Sequence, residues 1–341
     1  MSKEHEGSLR IAVIGVGSFG RNHARVYREL ADESRTAATS LELAAVVDRD
    51  RARAEAVAAE FGARAYADVN ALLAKEKIDA ATVAVPTIAH LAVARTLLEA
   101  GVDVLVEKPL ATDLAEADAL IGLARKHGRV AQAGHLERFN PAVRAVLPHV
   151  TLPMFFEVHR LSVFTPRSLD VDVVMDLMIH DLDVVLSLVN SPLRDLRAVG
   201  LPVLTPKVDI ANVRAEFESG CVANFTASRV STERVRKLRF FQPRQYVSLD
   251  YSRRDAFMLT VKPAGDGLPS LPEIVASKPQ VVSEEPLRAE LRSFLEAVAG
   301  RTSPVVSLED GRRALDLALQ VRSRIAEHSR RVGLSGLMNL Q

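Results

Sequence analysis

From Leu9 to about Gly134, short apolar runs alternate with stretches whose apolar positions recur every three to four residues. The runs are LRIAVIG, ELAAVVD, AATVAVP, VDVLVEKP and RVAQAG; between them lie RARAEAVAAEFG, TIAHLAVARTLLEAG and DLAEADALIGLARKHG. Near-continuous apolar runs belong to strands covered on both faces, and strand–helix alternation makes their sheet parallel. Gly62, Gly101 and Gly128 stand where these helices stop, because glycine accepts the left-handed conformation that ends a helix. The pattern predicts a doubly wound α/β domain over residues 1–135.

After His135 the texture changes. MFFEVHRLS, LRDLRAVGLPVL, ANVRAEFES, CVANFTASRV, KLRFFQP, YVSLDY and AFMLTVKP read as strands, and Ser219-Gly220 as a hairpin turn. One long helix, about 172–189, lies between the first two strands, and helices at about 284–299 and 308–331 close the chain. The stretches 31–40 and 265–273 read as loops. This grouping predicts an α+β domain over 136–341, built on an open, mostly antiparallel sheet.

Charge and composition narrow the partners. With 44 Lys and Arg against 43 Asp and Glu, the net charge is +1, so no general field holds nucleic acid or an anionic membrane. An anionic ligand must be held by local groups. Cys221 is the single cysteine, which excludes an internal disulfide framework and a multi-cysteine zinc site and fits a reducing, cytoplasmic compartment. The start, MSKEHEGSLR, lacks the apolar stretch of a signal peptide. The most apolar region, 79–101, is broken by Pro86, His90, Arg95 and Glu99 and is no membrane span.

Gly15-Val16-Gly17-Ser18-Phe19-Gly20 has G-x-G-x-x-G spacing after a predicted strand and at the start of a helix. Gly15 permits the tight turn, Gly17 lets backbone approach a pyrophosphate, and Gly20 lets helix and strand pack closely. The free N–H groups that open the helix suit the same anion. Asp48 ends the second strand, 28 positions after Gly20 (48 − 20), where a carboxylate accepts ribose hydroxyls and repels a 2′-phosphate. The predicted loop at 31–40 accounts for the long spacing. Asp48 favours NAD; Arg49 leaves NADP open, and a flavin, S-adenosylmethionine or a ligand-free turn could use the same glycines.

Glu107-Lys108-Pro109 follows a predicted strand at the edge where open α/β sheets hold ligands. Lys108 there can donate to a substrate hydroxyl, or be a plain surface lysine. On the long helix, Asp176 and His180 are four residues apart and share a face. A histidine steadied by a carboxylate makes a general base. A satisfied core histidine, or a metal site with Asp183, are the other readings of that segment.

Taken in order, GVGSFG, the VVD ending in Asp48, VAVPTIAH, EKP, GHLERFNPAV and DLMIHDLD resemble the Gfo/Idh/MocA family of nicotinamide-dependent oxidoreductases over nearly the whole chain. The resemblance implies that Lys108 and His180 act on a substrate hydroxyl at the nicotinamide, with Asp176 beside His180. It implies cofactor contacts from Val85, Pro86, Thr87 and His90, and from Glu107 with Lys108. It also implies a homodimer or homotetramer formed through the C-terminal sheet. GHLERFNPAV followed by HRLSVFTPRSLDVDVVMDLMIHDLD further resembles the branch that oxidises the 3-hydroxyl of UDP-N-acetylglucosamine. In that branch the 3-keto product passes to an aminotransferase, giving a 3-amino sugar for amide-linked lipid A or related glycans. Arg138, Asn140, Arg160 and Arg167 then become the substrate-binding residues, since arginines grip diphosphates bidentately. Another sugar, a nucleotide-sugar uronate, an inositol, or a non-catalytic NAD(P)- or sugar-sensing regulator are the alternative functions.

Overall fold

A computed structural model describes residues 8–34, 40–165, 171–262 and 272–334. These residues divide into two compact units. The first contains the chain up to His135 together with Leu287–Leu315; the second contains Leu136–Pro286 and the chain from Asp316 onward. The sequence-based division into 1–135 and 136–341 differs from this, because Leu287–Leu315 folds with the first unit.

The first unit runs β1 (Leu9–Ile14), α1 (Ser18–Ser34), β2 (Leu41–Val47), α2 (Arg51–Phe61), β3 (Arg64–Tyr66), α3 (Val69–Leu73), β4 (Ala80–Val83), α4 (His90–Glu99), β5 (Asp103–Glu107), α5 (Leu114–Lys126) and β6 (Ala131–Gly134). Its six strands are all parallel, in the order β3-β2-β1-β4-β5-β6. The order reverses at β1 and β4, so their C-terminal ends leave the crevice where such sheets bind ligands. Ile11, Val13, Ala45, Val46, Val83, Val104 and Leu105 are fully buried, as a sheet covered on both faces requires. The segments β3 and α3 went unpredicted: they are short and half exposed. Residues 31–34, expected as loop, instead finish α1.

In the second unit, α6 (Pro141–Val146) leads to β7 (Phe155–Leu161), and a wide π-wound turn, Val174–Met178, runs straight into α7 (Ile179–Leu188). There follow β8 (Leu193–Leu201), β9 (Ile210–Phe217), β10 (Val222–Ser228), β11 (Val235–Gln242), β12 (Gln245–Asp250), β13 (Asp255–Lys262) and β14 (Glu273–Ser277). The eight strands lie in the order β14-β13-β12-β11-β7-β10-β9-β8, and only β7 and β10 pair in parallel. Phe156, Val158, Phe225, Leu238 and Phe240 are buried on one face. The alternation along each strand leaves the other face half open, as antiparallel sheets allow. The helices α8 (Pro286–Gly300) and α9 (Leu308–Arg331) close the chain. Among the described residues no helix is long and apolar enough to cross a membrane.

Candidate active site

The glycine turn after β1 is built around backbone. Gly15 has φ 87°, and a Cβ there would stand 2.7 Å from the Ala84 carbonyl oxygen. A Cβ on Gly20 would drive into the carbonyl oxygen of Gly15. Gly17 differs: a Cβ there meets no protein atom within 4 Å. Gly15 and Gly20 are thus glycines for packing, whereas Gly17 keeps open a space that the protein itself leaves unfilled. A diphosphate beside Gly17, facing the N-terminus of α1, fits that space.

The turn opens on a groove of about 730 Å³ whose lining includes Gly15, Gly17, Ser18, Phe19, Asp48, Arg49, Val85 and Pro86. The expected cofactor residues on β1, β2 and β4 therefore share one cleft. The Asp48 carboxylate accepts hydrogen bonds from the backbone N–H of Val16 and of Asp50, both at 2.9 Å. The first of these ties the end of β2 to the glycine turn. Arg53 stands 3.5 Å from the same carboxylate. Thr87 opens a short 3₁₀ turn beside the groove. His90 is only 1% exposed, and its ring nitrogens lie 2.9 Å and 3.2 Å from the carbonyl oxygens of Val85 and Leu110. It braces the loop from behind and does not line the groove, which corrects its expected cofactor contact. Burial pushes its pKa below the ordinary histidine value.

Lys108 is half-buried at the end of β5. The residue before it has an inward role: Glu107 is 7% exposed, and its carboxylate lies 3.0 Å from Nε2 of His23 on α1. The Lys108 N–H donates to the same carboxylate at 3.2 Å. A Cβ at Gly134 would come within 2.9 Å of it, so glycine is needed on the neighbouring strand. The fully buried His23 was not anticipated. Its three-residue spacing from Gly20, which puts it on the inward side of α1, was the available signal.

In the second unit the helix that bears Asp176 and His180 gives several nearby carboxylates internal partners. Asp172 accepts from the N–H groups of Val174 and Met175, both at 3.0 Å, and pairs with Arg322 at 2.8 Å. Through the π-wound turn Val174, Met175, Met178 and Ile179 are buried, while Asp176, Leu177 and His180 stay half exposed. Asp176 and His180 thus share the open side, and such π turns recur at functional sites. Asp181 and Asp183 are both buried: Asp181 meets Arg160, and Asp183 lies 3.5 Å from Arg138.

Two expected substrate residues have internal partners instead. Arg160 is 2% exposed; its guanidinium grips Asp181 bidentately at 2.7 and 2.8 Å, reaches Glu137 at 3.0 Å, and lies over the Tyr251 ring at 5.1 Å. Burial works against its charge, but Asp181 and Glu137 hold its pKa well above the ordinary value. Asn140 caps α6 through the Ala142 N–H at 3.1 Å, and its amide donates to Glu137 at 3.0 Å and to the Tyr251 carbonyl at 3.1 Å. All three Arg160 nitrogens and both Asn140 amide hydrogens are thus engaged by internal partners. Arg138 keeps a partly exposed side chain, and Arg167 lies outside the described residues.

Residues 9–135 match the Gfo/Idh/MocA oxidoreductase model with its NAD-binding Rossmann fold, and residues 149–244 match the Gfo/Idh/MocA C-terminal domain. The UDP-N-acetylglucosamine 3-dehydrogenase of Acidithiobacillus ferrooxidans is 40% identical over 316 residues, 92% of this chain and 96% of that one. A crystal form of that organism's enzyme, GnnA, superposes with TM-score 0.84 at 38% identity, covering 94% of this chain and 98% of the other. An inositol 2-dehydrogenase of Acidothermus cellulolyticus is 32% identical over 56% of this chain and 57% of its own. A levoglucosan dehydrogenase in complex with NADH and levoglucosan shares the fold, with TM-score 0.81 at 18% identity over 94% of this chain and 98% of that one.

Proposed function

The chain belongs to the Gfo/Idh/MocA family of NAD-binding oxidoreductases, and on that premise we propose that it oxidises the 3-hydroxyl of UDP-N-acetylglucosamine to the 3-keto sugar. The observation that carries this reading is the extent of the likeness. The UDP-sugar enzyme matches 92% of the chain, second unit included, whereas the inositol enzyme above matches 56%.

In this reading the Gly15–Gly20 turn and the N-terminus of α1 hold the cofactor's diphosphate. Asp48 takes the adenosine ribose hydroxyls, and Val85, Pro86 and Phe19 line the apolar walls. NAD bound there would supply the acceptor for the hydride leaving C3 of the sugar. The hydroxyl proton leaves to the Lys108–His180 pair: one group removes it while the other donates a hydrogen bond to the oxygen as negative charge develops there. Asp176, on the same open side of the helix, orients the His180 ring. The ketone is then the substrate of a separate aminotransferase that installs a 3-amino group, for amide-linked lipid A or a related glycan, in the cytoplasm. Two chains pair through the uncovered sheet face, where Phe155, Phe241, Tyr246 and Leu259 form a cross-strand apolar row with ring centroids 5.7 and 5.1 Å apart.

The test follows absorbance at the NADH band with NAD and UDP-N-acetylglucosamine, with glutamate and an aminotransferase present to remove the ketone. Growth of the band is the expected result. A flat trace with that drain in place, alongside turnover of a uronate sugar or an inositol, overturns the substrate assignment.

A further inference from the structure

We infer that Arg236, with Arg234 beside it, anchors the anionic diphosphate of the substrate on the helix-bearing face of the second unit's sheet. This rests on the UDP-sugar reading and gives that substrate the cationic hold that Arg160 and Asn140 do not supply.

The placement follows from register. β11 pairs antiparallel with β7, and Arg236 stands directly opposite Arg160. Both therefore project from the same face as Val158 and Leu238, the face that carries α7, since Arg160 reaches Asp181 of that helix. Cross-strand neighbours of like charge repel, so two arginines here need anions. Arg160 takes both carboxylates within reach, Asp181 and Glu137. Arg236 is half-buried with its Nε fully shielded, and it makes no side-chain hydrogen bond or ion pair among the described residues. Arg234, two residues earlier and just before β11 begins, is exposed and likewise unpaired among them.

A half-buried guanidinium without an anion is costly. Desolvation first, then repulsion from Arg160 and Arg234, lowers the Arg236 pKa from its ordinary value, although Glu137 and Asp181 attract it from beyond ion-pair distance. A fold that keeps such a group gives up stability at that point, which is characteristic of a site completed by its ligand. The ligand chemistry follows from the donor: a planar fork of N–H groups matches two phosphate oxygens, and a second cation two residues away suits a second phosphate.

The experiment titrates UDP alone into the full chain by calorimetry and measures steady-state kinetics with the UDP-sugar. It compares wild type, Arg236→Met, Arg236→Lys, and Arg197→Met as a charge control on the far edge strand β8. For Arg236→Met the UDP affinity and the sugar KM are expected to worsen by about 10- to 100-fold, the scale of a charged hydrogen bond. kcat at saturation and NAD affinity should hold, and Arg236→Lys should recover part of the loss. The thermal midpoint of Arg236→Met should equal or exceed that of wild type, a readout that a structural role would move downward. Wild type that oxidises the UDP-sugar while Arg236→Met binds UDP equally well overturns the inference and leaves the function standing. Arg236-dependent UDP binding without UDP-N-acetylglucosamine turnover overturns the choice of sugar and sustains the inference. Wild type that binds no UDP overturns the inference outright.

Discussion

The glycine turn after β1 and the charged corner where β7, β11 and α7 meet are both polar endings of a sheet, made in opposite ways. The turn uses backbone: six consecutive residues supply N–H groups and an empty space, and Asp48 fastens the next strand to it. The corner uses side chains drawn from Glu137, Arg160, Asp181, Arg236 and Tyr251, residues spread over more than a hundred positions. A backbone site tolerates few substitutions but leaves no charge to compensate. A side-chain site must balance every buried charge, so single replacements there act on stability first.

That difference sets the order of expected effects. Arg160→Met leaves Asp181 and Glu137 buried without their cation and should lower unfolding free energy by about 3–5 kcal/mol in chemical denaturation. Arg236→Met, on the neighbouring strand, should not. Equal losses from the two would erase the distinction between a structural and a ligand-facing arginine. Next come Lys108→Ala and His180→Ala, each expected to lower kcat by ~10² or more with NAD affinity intact. An unchanged kcat for His180→Ala removes it from the chemistry.

Within the turn, Gly20→Ala should cost about 1–3 kcal/mol of stability through overpacking against Gly15. Gly17→Val should leave the unfolding midpoint alone and weaken NAD binding roughly tenfold, about 1.4 kcal/mol. The reverse pattern would mean that Gly17 is the packing glycine. The smallest effect belongs to His90. Burial lowers its folded pKa below the ordinary 6.5, so folding favours the neutral ring. Its contribution to stability is complete above that value and fades as pH falls through the folded pKa. His90→Gln should therefore flatten the decline of the unfolding midpoint as pH falls below the ordinary histidine value.

The same contrast explains what could be read from the chain before its structure. The strands of the first sheet are legible because burial on both faces writes them as unbroken apolar runs, and the cofactor turn because its residues are contiguous. The segments β3, α3 and α6 are three to six residues long, too short for any period to register. β14 is almost wholly exposed, so its residues carry no alternation. Arg160 reads as a free cation in sequence because what it faces is decided by the packing of α7 onto β7, a contact across 21 positions. His23 escaped for the same reason: its partner Glu107 lies 84 positions away (107 − 23). Asp176 and His180, four apart on one helix, needed only helical geometry.

The return of Leu287–Leu315 to the first unit fixes an order of events during synthesis. The Ala133 N–H donates to the Val306 carbonyl at 3.1 Å, and Gln132 bridges to Ser307, so the outer strand of the parallel sheet is sealed by residues made long after it. Arg301 closes on Asp103 and Arg312 on Asp118, while Leu291 and Phe294 of α8 are wholly buried. Domains generally fold from the N-terminus as they leave the ribosome. Here the nascent dinucleotide unit waits with β6 as an open edge while the whole intervening sheet is translated. A fragment ending at His135 would keep that edge permanently, exposed to pairing with other chains.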